Sequence, residues 1–187
     1  MEDKASYFVS WLRWQQQDSY ALWINKPESE LYWADAQDNI PLFATSEEVC
    51  LLADELGVQI YIQAENPHMI DVDCVWQWLQ QPQKRPPKEC LAIWSTFSDV
   101  GSGVGVPFDG DRKSPVRNRV FDKLYFNDGI FQINQDGKMD FHGPHTKPWI
   151  PGWRREERKR LKRDLQQGFR LWQRYTYRTT LDAVPLP

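Results

Sequence analysis

Cationic side chains are nearly missing from the first 75 residues of this 187-residue chain, where Lys4, Arg13 and Lys26 stand against fourteen aspartates and glutamates. Such a surface repels nucleic acid and attracts a basic protein. Cysteine is scarce as well. Cys50, Cys74 and Cys90 form an odd set without C-x-x-C spacing, which argues against a disulfide framework and a zinc site and leaves reduced, mostly buried thiols. No run approaches the ~18 consecutive apolar residues of a membrane span. The start, Met1 to Lys4, has no basic region followed by an apolar stretch, so no secretory signal is expected. A cytoplasmic protein without membrane contact is the expectation.

Aromatic residues are plentiful, at 14% of the chain, which excludes a disordered polymer. The ten tryptophans suit core packing, with one or two at a recognition surface. Charge reverses toward the C-terminus, where Arg154, Arg155, Arg158, Lys159, Arg160, Lys162 and Arg163 crowd together although the net charge is −3.

The periodicities predict one α+β domain over residues 1–187: a mostly antiparallel sheet packed with amphipathic helices, a long C-terminal helix, and an irregular tail at 176–187. Phe8, Trp11 and Leu12 have helical spacing, so 6–14 reads as a short amphipathic helix. Residues 20–24 and 31–33, rich in aromatic and branched side chains, flank a turn at Lys26–Glu30 and read as a β-hairpin. A short strand follows at 40–43. Thr45 and Glu48 make a capping box, and Val49, Leu52, Ala53 and Leu56 give the helix behind it one apolar face, up to Gly57. Residues 58–62 alternate as a strand. Asp71 caps a second helix carrying Val72, Val75, Trp76 and Leu79. Pro82, Pro86 and Pro87 mark a loop. A third helix is expected over 90–99, ended by a glycine-rich loop at 101–110, whereas 116–126 fits a helix or a strand equally. In the last helix, 154–174, Leu161, Leu165, Phe169 and Trp172 line one face, and Gly168 offers a close approach.

No arrangement of residues spells out catalysis. Gly101-Ser102-Gly103-Val104-Gly105 is G-x-G-x-G without the strand-to-helix unit of a dinucleotide site. His142 and His145 are separated by Gly143 and Pro144 and lack an evident third ligand. Neither a G-x-S-x-G elbow nor an activated cysteine is present. No cofactor, metal site or catalytic residue is expected. Nucleic-acid binding through the basic helix is disfavoured by the pI near 5.6 and by the place of its aromatics in the apolar stripe.

Several stretches carry a resemblance: Leu31–Asp35 (LYWAD), Ile40–Glu48 (IPLFATSEE), Leu91–Trp94 (LAIW), Phe97–Val100 (FSDV), Phe121–Phe126 (FDKLYF) and Pro151–Trp153 (PGW). Together, over residues 20 to 172, they resemble a group of bacterial immunity proteins from contact-dependent growth inhibition and related polymorphic toxin systems. The resemblance implies a protein, not an enzyme, that binds and neutralises one cognate toxin domain, commonly a nuclease. A nuclease has a basic cleft for its polyanion, so its inhibitor should offer carboxylates and a few aromatic anchors. The candidate partner-binding residues are Glu28, Glu30, Trp33, Asp35 and Asp38 in the hairpin region, with Asp99, Asp109 and Asp111 near the glycine-rich loop. The sequence specifies no oligomeric state. The alternative is a small enzyme or ligand-binding domain with a dispersed site, in which His142, His145 and nearby carboxylates would take part.

Overall fold

The computed structural model describes residues 5–61, 69–82, 84–126, 131–133, 139–141 and 151–186. Strands β1 (Ser6–Trp14), β2 (Gln17–Lys26) and β3 (Ser29–Tyr32) form an antiparallel meander, and the short β5 (Ile70–Asp71) joins β1 in parallel, giving the order β3-β2-β1-β5. Between β3 and β5 lie β4 (Ile40–Leu42) and α1 (Ser46–Glu55). Then follow α2 (Val72–Gln80), α3 (Cys90–Gly103), α4 (Pro115–Tyr125), the antiparallel pair β6 (Phe131–Ile133) and β7 (Met139–Phe141), α5 (Arg155–Tyr175) and β8 (Thr176–Arg178). The fold is α+β, as the periodicities predict.

Segment 6–14 is a strand, not the expected helix. Its residues are β-formers, and as a strand it places Phe8, Ser10, Leu12 and Trp14 on one face and Tyr7, Val9 and Trp11 on the other. Both faces are covered, so apolar side chains occur on each and the two-residue alternation is blurred. Tyr7, Val9 and Leu22 pack under α1 with Val49 and Leu52, while Leu12, Ala21 and Tyr32 face the core built by α2, α3, α4 and α5.

The β1–β2 turn carries no sequence signal either. It consists of Gln15 and Gln16, both left-handed (φ 54° and 59°), where a tight hairpin normally uses Asn-Gly. An acceptor from another element compensates: the Asp73 carboxylate takes hydrogen bonds from both backbone N–H groups, at 2.8 and 2.7 Å.

Other elements follow local rules. The Thr45–Glu48 capping box is present, and the Asp71 carboxylate accepts from the Cys74 N–H at 3.2 Å. Pro115 opens α4 behind a Ser114 cap, which decides the ambiguous segment in favour of helix. Two further expectations are corrected. α3 runs through Gly101 and Gly103 rather than stopping before them, because glycine there permits contact: a Cβ on Gly103 would lie 2.2 Å from the Tyr32 carbonyl oxygen. The segment expected to be an irregular tail instead supplies β8, parallel to β4, and a 3-10 turn at Leu181–Ala183. The Tyr177 hydroxyl fastens it by donating to Asp35 at 2.7 Å. Of the expected strand at 58–62, Ile60 makes one parallel bridge to Tyr7, and residue 62 lies outside the described residues. Gly168 does serve close approach, since a Cβ there would meet the Phe97 ring at 2.0 Å.

Asp73→Ala should lower stability by about 1–2 kcal/mol, because both turn amides lose a charged acceptor. Urea unfolding checks this, and placing Asn-Gly at 15–16 in that variant should recover part of the loss. An unchanged midpoint would contradict the assigned role of Asp73.

Candidate functional site: an acidic groove between the sheet and α3

Helix α3 crosses the sheet face that carries Phe8, Ser10, Trp23 and Tyr32. Its residues Ala92, Ser95, Thr96 and Asp99 follow i, i+3, i+4, i+7 spacing and so share one side, while Ile93, Trp94, Phe97 and Val100 are buried in the core. Between the small, polar side and the sheet runs a groove of about 320 Å³, bounded also by Glu30 on β3 and Ile70 on β5. None of its described lining residues is cationic.

The groove has a polar floor and an aromatic wall. The Tyr32 and Ser10 hydroxyls lie 3.0 Å apart, with the Thr96 hydroxyl beside them. Burial pushes the Tyr32 phenol well above its ordinary range, so it stays protonated. Phe8 packs on Trp23 with ring centroids at 5.3 Å, and Tyr61 extends the cluster from Phe8 at 5.5 Å. Tyr61 is 64% exposed, a large apolar surface left in water.

Asp99 is the chemical centre. It is 8% exposed, and its Oδ2 accepts from the Trp23 indole N–H at 2.9 Å. Oδ1 receives no hydrogen bond from the described residues. Burial raises the carboxyl, and the negative charges of Glu30 and Asp111 push the same way, so that it titrates at about 7 despite the Trp23 bond.

Of the residues singled out in the sequence, Glu30 and Asp99 line the groove together. Asp111 stands behind Asp99, accepting from the Ser98 hydroxyl at 2.8 Å. The other five are placed elsewhere. Glu28 is exposed in the β2–β3 turn. Trp33 is half-buried against the α1 core. Asp35 is buried, accepting from Tyr177 and from the Gln37 and Asn39 N–H groups, so it ties down β4 and β8 rather than facing a partner. Asp38 holds a left-handed turn (φ 58°). Asp109 belongs to the α5 side, its N–H donating to Gln167 and its carbonyl accepting from Arg160. Phe8 and Ser10 are hidden in the sequence because β1 reads as a helix, and Trp23, Tyr32 and Thr96 because the groove joins elements distant along the chain. The one signal for them was the Ala-Ser-Thr-Asp stripe on an otherwise apolar helix.

The basic C-terminal helix is less open than its sequence suggests. Glu157 and Asp164 are fully buried on it. Lys123 reaches Glu157 at 2.6 Å, and Arg160 and Arg163 both pair with Asp164. Burial alone would raise the Glu157 carboxyl, but Lys123, the Arg154 N–H and Arg119 outweigh it and hold the group below its usual range. Trp172 is buried as expected, whereas Trp153 and Tyr175 are half-buried.

The cysteines separate: Cys90 is buried, Cys74 half-buried and Cys50 exposed, so the expectation of mostly buried thiols holds for one. His68, His142 and His145 lie outside the described residues, and with them the histidines of the alternative site. Among the described residues no group of three or more His, Cys, Asp or Glu side chains is placed to hold a metal ion, and no helix is long and apolar enough to cross a membrane.

No family model and no curated protein matches the chain. A solved structure matches in shape: the crystal structure of the SatS C-terminal domain in complex with bromine superposes with a TM-score of 0.53, at 8% sequence identity, over 93% of this chain and 94% of that one. The chain shares a fold with the SatS C-terminal domain. At that identity the likeness extends to the arrangement of elements and not to side chains.

The raised Asp99 carboxyl has a sign that can be checked. Because its folded value lies above the unfolded one near 3.8, its contribution to stability is full in acid and is lost as pH rises through about 7. Stability of the wild type relative to Asp99→Asn should therefore fall between pH 4 and 7, by no more than about 1.4 kcal/mol per pH unit, and level off above. A pH-independent difference in urea unfolding would place Asp99 at an ordinary carboxylate value.

Proposed function

We propose that this chain is a binding protein that neutralises a cognate antibacterial toxin, a basic nuclease domain, by covering its active site or substrate surface. The observation that carries the reading is the groove, where Glu30 and Asp99 meet an aromatic wall and no described cation opposes them. A nuclease cleft is rich in lysine and arginine because it holds phosphates. Carboxylates presented at matching positions speed encounter and reject wrong partners, while desolvated aromatic anchors hold the complex. Phe8, Trp23 and the exposed Tyr61 supply such anchors beside the charge. The resemblance of residues 20–172 to immunity proteins points the same way. This reading makes the chain a non-enzyme acting in the cytoplasm, with a toxin domain as its partner.

A second reading draws on Asp99 itself. A carboxyl titrating at about 7, beside the protonated Tyr32 phenol and the Ser10 hydroxyl, is suited to general acid–base work in a small-molecule site. Hydrolase or isomerase turnover that disappears in Asp99→Asn would favour that reading.

Affinity capture from the native organism, with this chain as bait, tests the first. The expected result is one stoichiometric toxin domain whose toxicity the chain relieves. Reversing Glu28 and Glu30 to lysine should then slow association by about tenfold at low salt and flatten its salt dependence. Capture of no partner while the toxin domain is present, or unchanged kinetics in the reversed variant, would count against this use of the surface.

A further inference from the structure

We infer that the groove between the sheet and α3 takes a single guanidinium group, the side chain of an arginine presented by the partner, with Asp99 and Glu30 as its acceptors and Trp23 and Phe8 against its planar face and stem. The inference deepens the proposed function and rests on its basic partner, but the groove can be probed without that partner.

Three independent features support it. The first is space: the groove holds about 320 Å³, which is room for one long side chain and too little for a folded element. The second is hydrogen bonding. Asp99 is more than nine-tenths buried, one of its oxygens is held by the Trp23 indole N–H, and the other receives no donor from the described residues. A cationic donor brought by a ligand would make a charge-assisted hydrogen bond to this carboxylate. Glu30 at the rim and the Ser10 and Tyr32 hydroxyls on the floor add further acceptors. Guanidinium carries five N–H donors in a fixed plane and no acceptor, the complement of such a set. The third is the wall. The tilted Phe8–Trp23 pair offers aromatic faces, on which guanidinium stacks well because it is weakly hydrated.

The charge around Asp99 would favour a bound cation. Glu30 from β3 and Asp111 from the 3-10 turn after α3 both act on it, and the neighbouring groups Trp23 and Tyr32 are neutral. Arg117 near Asp111 is turned to other work, donating to the Gly110 carbonyl at 2.7 Å and lying over the Phe121 ring. An arriving guanidinium would favour the ionised carboxylate, so binding should release the Asp99 proton to solvent.

The probe is N-acetyl-arginine amide, titrated into the full-length, 15N-labelled protein while the Trp23 indole N–H resonance is followed. A saturable shift is expected. Its affinity should rise up to about tenfold per pH unit below pH 7 and level off above, in step with the proton release. Glu30→Gln, at an exposed position that tolerates it, should weaken binding severalfold, and Asp99→Asn should abolish both binding and its pH dependence. N-acetyl-citrulline amide, the same shape without the charge, should leave the resonance in place. Absence of a saturable shift, an equal shift with citrulline, or equal binding of N-acetyl-lysine amide would overturn the inference. Arginine binding in a chain that captures no toxin would keep the groove assignment and discard the immunity reading; toxin capture without a groove response would do the opposite.

Discussion

The position of α3 is the constraint on which the rest of the structure depends. At its C-terminal end Gly103 lies so close to β3 that no side chain could stand between the helix and the Tyr32 carbonyl. On its opposite side Phe97 packs over Gly168 of α5 and against Phe169, with ring centroids at 4.9 Å. Both contacts need glycine for space, so the helix is fixed between sheet and α5 from two directions. Interiors packed to this density do not slide. The groove follows from that fixed placement: along the same helix the residues facing the sheet are small and polar, and the space they leave stays open.

Charge is handled in opposite ways on the two sides of the molecule. Under α5, two carboxylates are fully buried and each is met by cations, Glu157 by Lys123 and Arg119 and Asp164 by Arg160 and Arg163. Breaking such a pair leaves a bare buried charge; the Glu157 pairs join α5 to α4, while the Asp164 pairs lie within α5. Asp99 is nearly as buried, yet it is surrounded by other carboxylates and by neutral donors. The fold tolerates it through protonation. A group that is costly to ionise in the free protein, and whose cost a cation would cancel, is more naturally a binding element than a structural one.

Much of the fold is legible in the residues themselves. The Thr45–Glu48 box, the Asp71 cap and the stripe of α5 are local signals obeying local physics, and each element stands where they put it. The failures share a cause in contacts distant along the chain. β1 is apolar on both faces because α1 packs against it on one side and α2 on the other, which erases the alternation that marks a strand. Its hairpin turn uses two glutamines because Asp73, almost sixty residues away, supplies the missing stabilisation. Gly101 and Gly103 read as a helix stop until their neighbours are known. Asp35 reads as a surface carboxylate, yet its partner Tyr177 lies at the other end of the chain. For the same reason, the acidic bias of the first 75 residues was plain while the groove it helps to line was not: the groove joins β1, β2 and β3 to α3, and no window of sequence contains all four.

The protonation of Asp99 in the free protein is the most direct test, because burial and the neighbouring carboxylates converge on it. Following the side-chain carboxyl carbon by 13C NMR across pH 3 to 9, with Asp99→Asn to assign the resonance, would measure it. A midpoint at about 7 is predicted. A midpoint near 4, the ordinary aspartate value, would mean that water or an unrecognised donor already satisfies the carboxylate, and that the groove is not built around an unmet charge.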